Sequence, residues 1–372
     1  MTELAVPAEQ SGAREESGAS ARRLRPVAAW LFACCALIFA MIVLGGLTRL
    51  TLSGLSITDW DPILGVIPPL SQAEWVGAFA KFKLVPEYRL DHFGMTLGAF
   101  KIIYYWEYAH RLLGRLIGFA FALPFAYFLF RGKLPPRLRW PLAFILLLGA
   151  GQGLLGWYMV KSGLARRPEV SQYLLVAHLS LALVVYGAIL WVALALVRAP
   201  AREEAASRFW RWCADGVILL VSLTIVAGGF VAGLHAGLID NTFPLMGGHF
   251  IPEDYAALHP FIRNPFANPA AAQFDHRVIA MVTTALILLL WFKGFFSPLP
   301  RQARPALHAL AAAIVVQASL GLATLLLVVP IPLASLHQAG AVLVLTAAIL
   351  WRHTFRSPAL GAEIDASLRT AL

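Results

Sequence analysis

The sequence predicts an all-α integral membrane protein whose eight transmembrane helices form two tandem four-helix bundles related by a pseudo-two-fold axis. Three observations predict this. Of 372 residues, 59% are hydrophobic and only 13% charged, with a mean hydropathy of +0.71; a soluble domain carries about 25% charge. Apolar runs near the roughly 20 residues that cross a bilayer recur along the chain. The motifs of the first half return in the second.

Taken in order, the apolar runs give spans Val27–Leu47, His110–Phe130, Trp140–Val160, Tyr173–Val197, Val217–Leu238, His276–Phe296, Leu307–Val329 and Leu336–Trp351. They divide the chain into a disordered tail (1–25), an N-terminal bundle (26–197), a linker (198–212), a C-terminal bundle (213–352) and a second tail (353–372). The first span follows Arg22-Arg23-Leu24-Arg25 but has no small-x-small exit, so it reads as a retained helix rather than a signal peptide. Cys34, Cys35 and Cys213 lie in or beside spans and read as small core residues.

The net charge of +10 does not point to nucleic acid, because Lys and Arg concentrate on alternate sides of the spans. Arg22, Arg23, Arg25, Arg131, Lys133, Arg137, Arg139, Arg198, Arg208, Arg211, Lys293, Arg301, Arg304 and Arg352 fall on one side, whereas the longer opposite loops hold fewer. This positive-inside pattern puts both termini in the cytoplasm and excludes a nucleic-acid partner. The localisation it implies is a bacterial inner membrane, crossed many times.

The repeat is specific. Gly45-Gly46-Leu47 ending span one matches Gly228-Gly229-Phe230 in span five, and Gly54-Leu55 matches Gly237-Leu238. Tyr108-Ala109-His110-Arg111 matches Phe274-Asp275-His276-Arg277, and Gln152 with Leu155-Gly156 matches Gln317 with Leu320-Gly321. Four spans per repeat make the repeats parallel. Gly149, Gly151, Gly153 and Gly156 would let helices pack closely. Two external segments are long. Residues 48–105 include Trp60-Asp61-Pro62 and an amphipathic helix near Ser71–Phe82, with Ser71 as N-cap, Glu74 at the capping-box position and Trp75, Phe79 and Phe82 facing the membrane interface. Residues 239–273, rich in Pro and Asn, read as a lid with little regular structure.

Four histidines carry the chemistry. His110, His178, His276 and His337 each open every second span, from the same membrane face. Imidazole within apolar helices is costly unless neutral and partnered. Four at matching depth, paired as His110 with His178 and His276 with His337, suit axial ligation of two haems, with Arg49, Arg111, Arg115 or Arg277 near the propionates. Histidines bonded across helices, a proton relay and a zinc or copper site are the rival readings. Glu107 lies three residues before His110, on the same helix face, and Gln273 occupies the equivalent place before His276. The first site thus has an acid where the second has an amide, unless Glu107 only pairs with Lys101 or Arg111 at the interface.

With these motifs in place, the chain resembles the haem A synthase family, known in mitochondria as cytochrome oxidase assembly protein 15, from about Arg25 to Trp351. The resemblance rests on Gly45-Gly46-Leu47-Thr48-Arg49-Leu50-Thr51, Ser53-Gly54-Leu55-Ser56, the run Phe100–Arg111, Phe274-Asp275-His276-Arg277 and Leu336-His337-Gln338. It implies oxidation of the C8 methyl group of haem O to the formyl group of haem A for cytochrome oxidase. It also implies a haem b cofactor at His276 and His337, with Arg277 beside it, and a substrate haem at His110 and His178 with Glu107 in catalysis. The first external loop lacks the cysteine pair of some bacterial members, which places the chain with the cysteine-free type. Expected partners are haem O, membrane lipid, haem O synthase, an electron acceptor and further copies of the chain. The runner-up reading is a di-haem b-type electron carrier without a haem substrate, and a third is a haem-binding chaperone.

Overall fold

The structure is a computed structural model that describes residues 8–59, 65, 67–166, 170–198 and 208–356. Trp60-Asp61-Pro62, most of the central linker and the C-terminal tail beyond Arg356 lie outside the described residues. Among those described, eleven α-helices and no strands occur: α1 Ala8–Leu50, α2 Gln72–Phe82, α3 Pro86–Asp91, α4 Leu97–Phe130, α5 Pro136–Arg166, α6 Gln172–Val197, α7 Arg208–Gly233, α8 Asn264–Ala267, α9 Pro269–Phe295, α10 Ala303–Leu326 and α11 Ile331–His353. Eight of them are long and apolar enough to cross a membrane, and the chain is a multi-pass membrane protein. In α1 the membrane-crossing part is Leu24–Leu50. The helix continues back to Ala8, through most of the segment whose composition suggested an unstructured tail; that segment is rich in Ala, Glu and Arg, which are strong helix formers.

The helices close into two rings of contact. α1 packs on α4 and α6, and α5 packs on the same two; α7 packs on α9 and α11, and α10 on the same two. The rings meet where α6 touches α7 and α11, and where α1 touches α11. One polar tie at this seam joins Tyr186 Oη and Thr346 Oγ1, 2.8 Å apart.

The principal core lies at one end of this assembly. It gathers Leu31, Phe125, Leu142, Ile189, Val217, Ile287, Leu307 and Trp351 from all eight spanning helices, on the side away from the histidines. At the histidine level the packing is looser, and all four imidazoles are half-buried. Outward faces of the spans expose Phe119, Leu123, Trp140, Leu147, Leu289 and Phe292, as a lipid-facing surface requires. The small residues of α5 do less than expected. A Cβ on Gly149, Gly151 or Gly153 would meet nothing within 4 Å, and Gly156 alone of the four backs onto a neighbour. The first three lie on the open side of α5.

Among the membrane-crossing parts, α4 departs most from its sequence-based bounds. With 34 residues it is about 50 Å long, well beyond the roughly 30 Å of a hydrocarbon core. Its first turns, from the Thr96 N-cap to Tyr104, therefore belong to an outer layer. The amphipathic helix α2 docks there. Trp75, Phe79 and Phe82 are not at the interface but buried against Phe100, Ile103 and Tyr104, with Phe79 and Phe82 stacked on Phe100 at 5.0 and 5.3 Å. An aromatic face close to other rings gains more from packing with them than from the headgroup region. The capping box forms as read: Glu74 N–H donates to Ser71 Oγ, and Glu74 Oε2 accepts from the N–H groups of Leu70 and Ser71. In the second long segment Asn264 and Asn268 bond Leu258, Phe261, Asp254 and Tyr255 carbonyls, fixing short helical turns ahead of α9.

The backbone N–H groups of Leu70 and Ser71 hold the Glu74 carboxyl below the usual carboxylate range. A lowered folded-state pKa stabilises the cap at neutral pH, and the effect is lost as the pH falls through that lowered range. Ser71→Ala should therefore lower amide-exchange protection at Glu74 and Trp75 several-fold at pH 7, and acidification of the parent protein should lower protection at the same amides once the slower intrinsic exchange at low pH is divided out. Protection that is insensitive to both would show that the box does not hold α2.

Candidate functional site

The four histidines lie at one end of the helices, but not all in first turns. His110 stands deep within α4, because that helix begins as far back as Leu97. His178, His276 and His337 lie near the second turns of α6, α9 and α11.

Each imidazole rests on a glycine of the neighbouring helix. A Cβ built on Gly45 of α1 would stand 3.2 Å from His110 Nε2, and one on Gly156 of α5 3.0 Å from His178 Cε1. In the second half, a Cβ on Gly228 of α7 would stand 3.0 Å from His276 Cε1, and one on Gly321 of α10 2.7 Å from His337 Cε1. Gly45 matches Gly228 and Gly156 matches Gly321 in the sequence repeat. The glycines recur because the rings they admit recur.

The polar supports recur in part. Gln152 Nε2 donates to His178 O at 2.9 Å, and Gln317 Nε2 donates to His337 O at 2.9 Å. Beyond this the halves differ. Gln317 Nε2 also stands 3.1 Å from His337 Nδ1, whereas His178 Nδ1 is buried without a hydrogen-bond partner. His276 Nδ1 lies 3.1 Å from Thr224 O, a carbonyl one turn before Gly228. A carbonyl only accepts, so this bond puts the proton on Nδ1 and leaves the Nε2 lone pair outward.

The second pair fits a shared metal. The His276 and His337 ring centroids are 6.5 Å apart. Two imidazoles giving one nitrogen each to a single metal at about 2 Å would have centroids roughly 6 Å apart. Among the described residues no group of three or more His, Cys, Asp or Glu side chains stands together. Two neutral imidazoles do not make a zinc site, which takes three or four protein ligands. They would suffice for a haem iron, whose other ligands come from the macrocycle.

Above each pair sits an acid or amide with an arginine one turn on. Glu107 is 3% exposed, and three donors converge on it. Ser56 Oγ at 2.7 Å and Ile57 N–H at 2.8 Å reach Oε2, and Arg111 at 2.5 Å reaches Oε1. Arg111 also donates to Ile57 O and Asp59 O. Glu107 therefore pairs with Arg111, while Lys101 lies over the Trp75 ring. In the second half, Arg277 donates to Gln273 Oε1 at 2.9 Å and to Asp240 O and Thr242 O. Gln273 Nε2 donates to Ala236 O and Ile239 O, both at 2.7 Å. Each pair latches the loop that follows the first helix of its half. The first loop offers donors to a carboxylate, and the second offers carbonyls to an amide. A cavity of about 260 Å³ opens beside the first latch, lined by Thr58, Asp59, Arg111, Trp157, Val160, Lys161 and Leu164.

Comparison with known proteins identifies the family. The family described as cytochrome oxidase assembly protein matches residues 28–349. The Heme A synthase of Nitrosospira multiformis is 50% identical over 335 residues, covering 89% of this chain and 94% of its own. That of Rhodospirillum centenum is 48% identical, covering 91% of each chain. The human Heme A synthase COX15 is 44% identical over 350 residues, covering 92% of this chain and 85% of its own. The chain belongs to this family. The expected family relationship and the eight-span helical fold both hold.

Sequence reading located the four histidines, Glu107, Gln273 and Arg277. It missed Ser56 and Ile57 as partners of Glu107, the Thr224 carbonyl, and the glycines as seats for rings. The seats had a signal, since each recurs at a fixed place relative to a histidine-bearing span. The Ser53-Gly54-Leu55-Ser56 motif held the other.

Small substitutions separate seats from bystanders. Gly321→Ala, forced against His337, should destabilise by about 1–3 kcal/mol. Gly153→Ala faces open space and should be neutral or stabilise by up to about 1 kcal/mol, the helix-propensity gain. Thermal unfolding in detergent measures both. Equal effects would mean that the glycines serve only as helix spacers.

Proposed function

We propose that this protein is a haem A synthase, an oxidoreductase of a bacterial inner membrane that oxidises the C8 methyl group of haem O to a formyl group for cytochrome oxidase. The family and its Heme A synthase members support the reaction. The positive-inside pattern supports cytoplasmic termini and histidines toward the periplasm. The observation that carries the assignment of the two sites is their unequal support. His276 is anchored by donating from Nδ1 to Thr224 O, while His178 Nδ1 has no partner. Ring orientation fixed by a second hydrogen bond is how proteins hold permanent metal ligands. A ring without that second bond suits a haem that must arrive and leave.

On this reading His276 and His337 hold a resident haem b, with Arg277 acting by fixing the 239–242 loop at the outer end of α9. When bound, that haem supplies one-electron redox chemistry. His110 and His178 would hold the substrate iron and set the depth at which the substrate sits. Gly45 and Gly156 seat those imidazoles against α1 and α5. Glu107 holds Ser56 and Ile57 to α4, closing the loop over the substrate site, and is the carboxylate nearest to His110 in sequence for moving a proton. Membrane lipid would accommodate the farnesyl tail, and haem O synthase and an electron acceptor are the expected partners. The di-haem carrier reading is not favoured: electron transfer across a bilayer needs sites at two depths, and all four histidines share one end.

Two measurements test this. Purified His276→Ala should lose the haem that co-purifies with the parent, while His110→Ala keeps it and loses haem O binding; the reverse pattern would overturn the assignment. Glu107→Gln puts an amide N–H among donors and removes charge-assisted bonds worth about 1.5–3 kcal/mol each. It should cut conversion of haem O at least tenfold with the resident haem spectrum unchanged. Undiminished haem A, read by pigment chromatography, would show that the acid only fastens the loop.

A further inference from the structure

Gly45-Gly46 and Gly228-Gly229 each serve two neighbours. The first glycine of each pair seats a histidine of its own half. The second faces the other half. A Cβ on Gly46 would fall within the amide of Gln338, the residue after His337. A Cβ on Gly229 would stand 3.0 Å from Val176 Cγ2 and 3.7 Å from Leu179 Cδ2, and Leu179 is the residue after His178. The two crossings occupy matching places in the repeat, but their chemistry differs. Leu179 crosses as an apolar contact. Gln338 bonds: its Nε2 donates to Ile42 O at 2.6 Å, one turn before Gly46 on α1.

We propose that Gln338 is a positioning residue that couples the two histidine pairs. Its amide lies against Gly46 and is bonded to Ile42, so it ties the helix carrying His337 to the turn of α1 that seats His110. His337 and Gln338 are adjacent, as are Gly45 and Gly46, so a shift of α11 of an ångström moves the floor beneath His110. With the Gln338 amide as the nearest group to Gly46, the bond sets how closely α1 and α11 approach. The C-terminal pair thereby sets the geometry in which the N-terminal pair receives its ligand. This inference rests on the haem assignment above.

The test compares the parent, Gln338→Leu, Gly46→Ala and Gly46→Ala/Gln338→Ala in the full chain with its co-purified haem. Leucine reproduces the apolar crossing seen at Leu179 but cannot bond Ile42. Gln338→Leu should leave the spectrum and content of the resident haem unchanged and weaken added haem O about tenfold. It should also raise amide exchange at residues 42–48 of α1, a readout that needs no haem. Gly46→Ala should weaken haem O binding more, and adding Gln338→Ala should restore part of the loss, because the new methyl group takes the space the amide leaves. This relief requires contact, so it decides the matter even where Gln338→Leu assembles poorly. Unchanged exchange in α1, or no relief in the double variant, would overturn the coupling. Retention of haem O binding by His110→Ala would instead overturn the haem assignment.

Discussion

An imidazole placed inside a bilayer cannot rely on water, so the protein must supply both its space and its partners. Much of this architecture follows from meeting that condition four times. Each ring needs a gap in the adjacent helix, and a glycine makes it. Each ring-bearing helix needs a neighbour close enough to contribute, and the paired contacts of α1 with α4, α5 with α6, α7 with α9 and α10 with α11 bring one. The lipid-facing sides of the spans are under no such demand, and their side chains are simply large and apolar.

The same scaffold then carries two different electrostatic settings. Glu107 and Gln273 differ by an oxygen for a nitrogen, yet the loops that answer them have opposite polarity. Ser56 and Ile57 present donors to the acid, while Ala236 and Ile239 present carbonyls to the amide. Arginine can serve both, since it only donates and finds an oxygen in either setting. Exchanging the acid for the amide therefore exchanges more than a charge. The surrounding loop is written for one of them.

What the sequence revealed and what it hid divide along physical lines. Spans are legible because a bilayer imposes length and apolarity on any helix that crosses it. Histidine placement is legible because imidazole is rare in such helices. The start of α4 was hidden for the same reason: Lys101 and Glu107 broke its apolar run, although Glu107 is satisfied by partners from residues 56–57 and Lys101 by the Trp75 ring. Hydropathy counts a charge without knowing what meets it. The packing of Trp75, Phe79 and Phe82 was hidden because an amphipathic pattern shows that a face is covered, not whether lipid or protein covers it. Backbone partners such as Thr224 O are invisible in principle, since every residue has that carbonyl.

The uneven distribution of packing ties these points together. A dense core at the end away from the histidines anchors all eight spanning helices, so their spacing at the histidine end is set by levers fixed elsewhere. There the contacts are few and specific: a ring on a glycine, an amide on a carbonyl, a loop on an acid. A close-packed histidine end would leave no space between the imidazoles of a pair, and an unbraced one would not keep them facing. Rigidity at one end permits openness at the other. The N-terminal pair, with the less-anchored His178, lies at the more open extreme of this arrangement, and its geometry is the more exposed to whatever α11 transmits through Gln338.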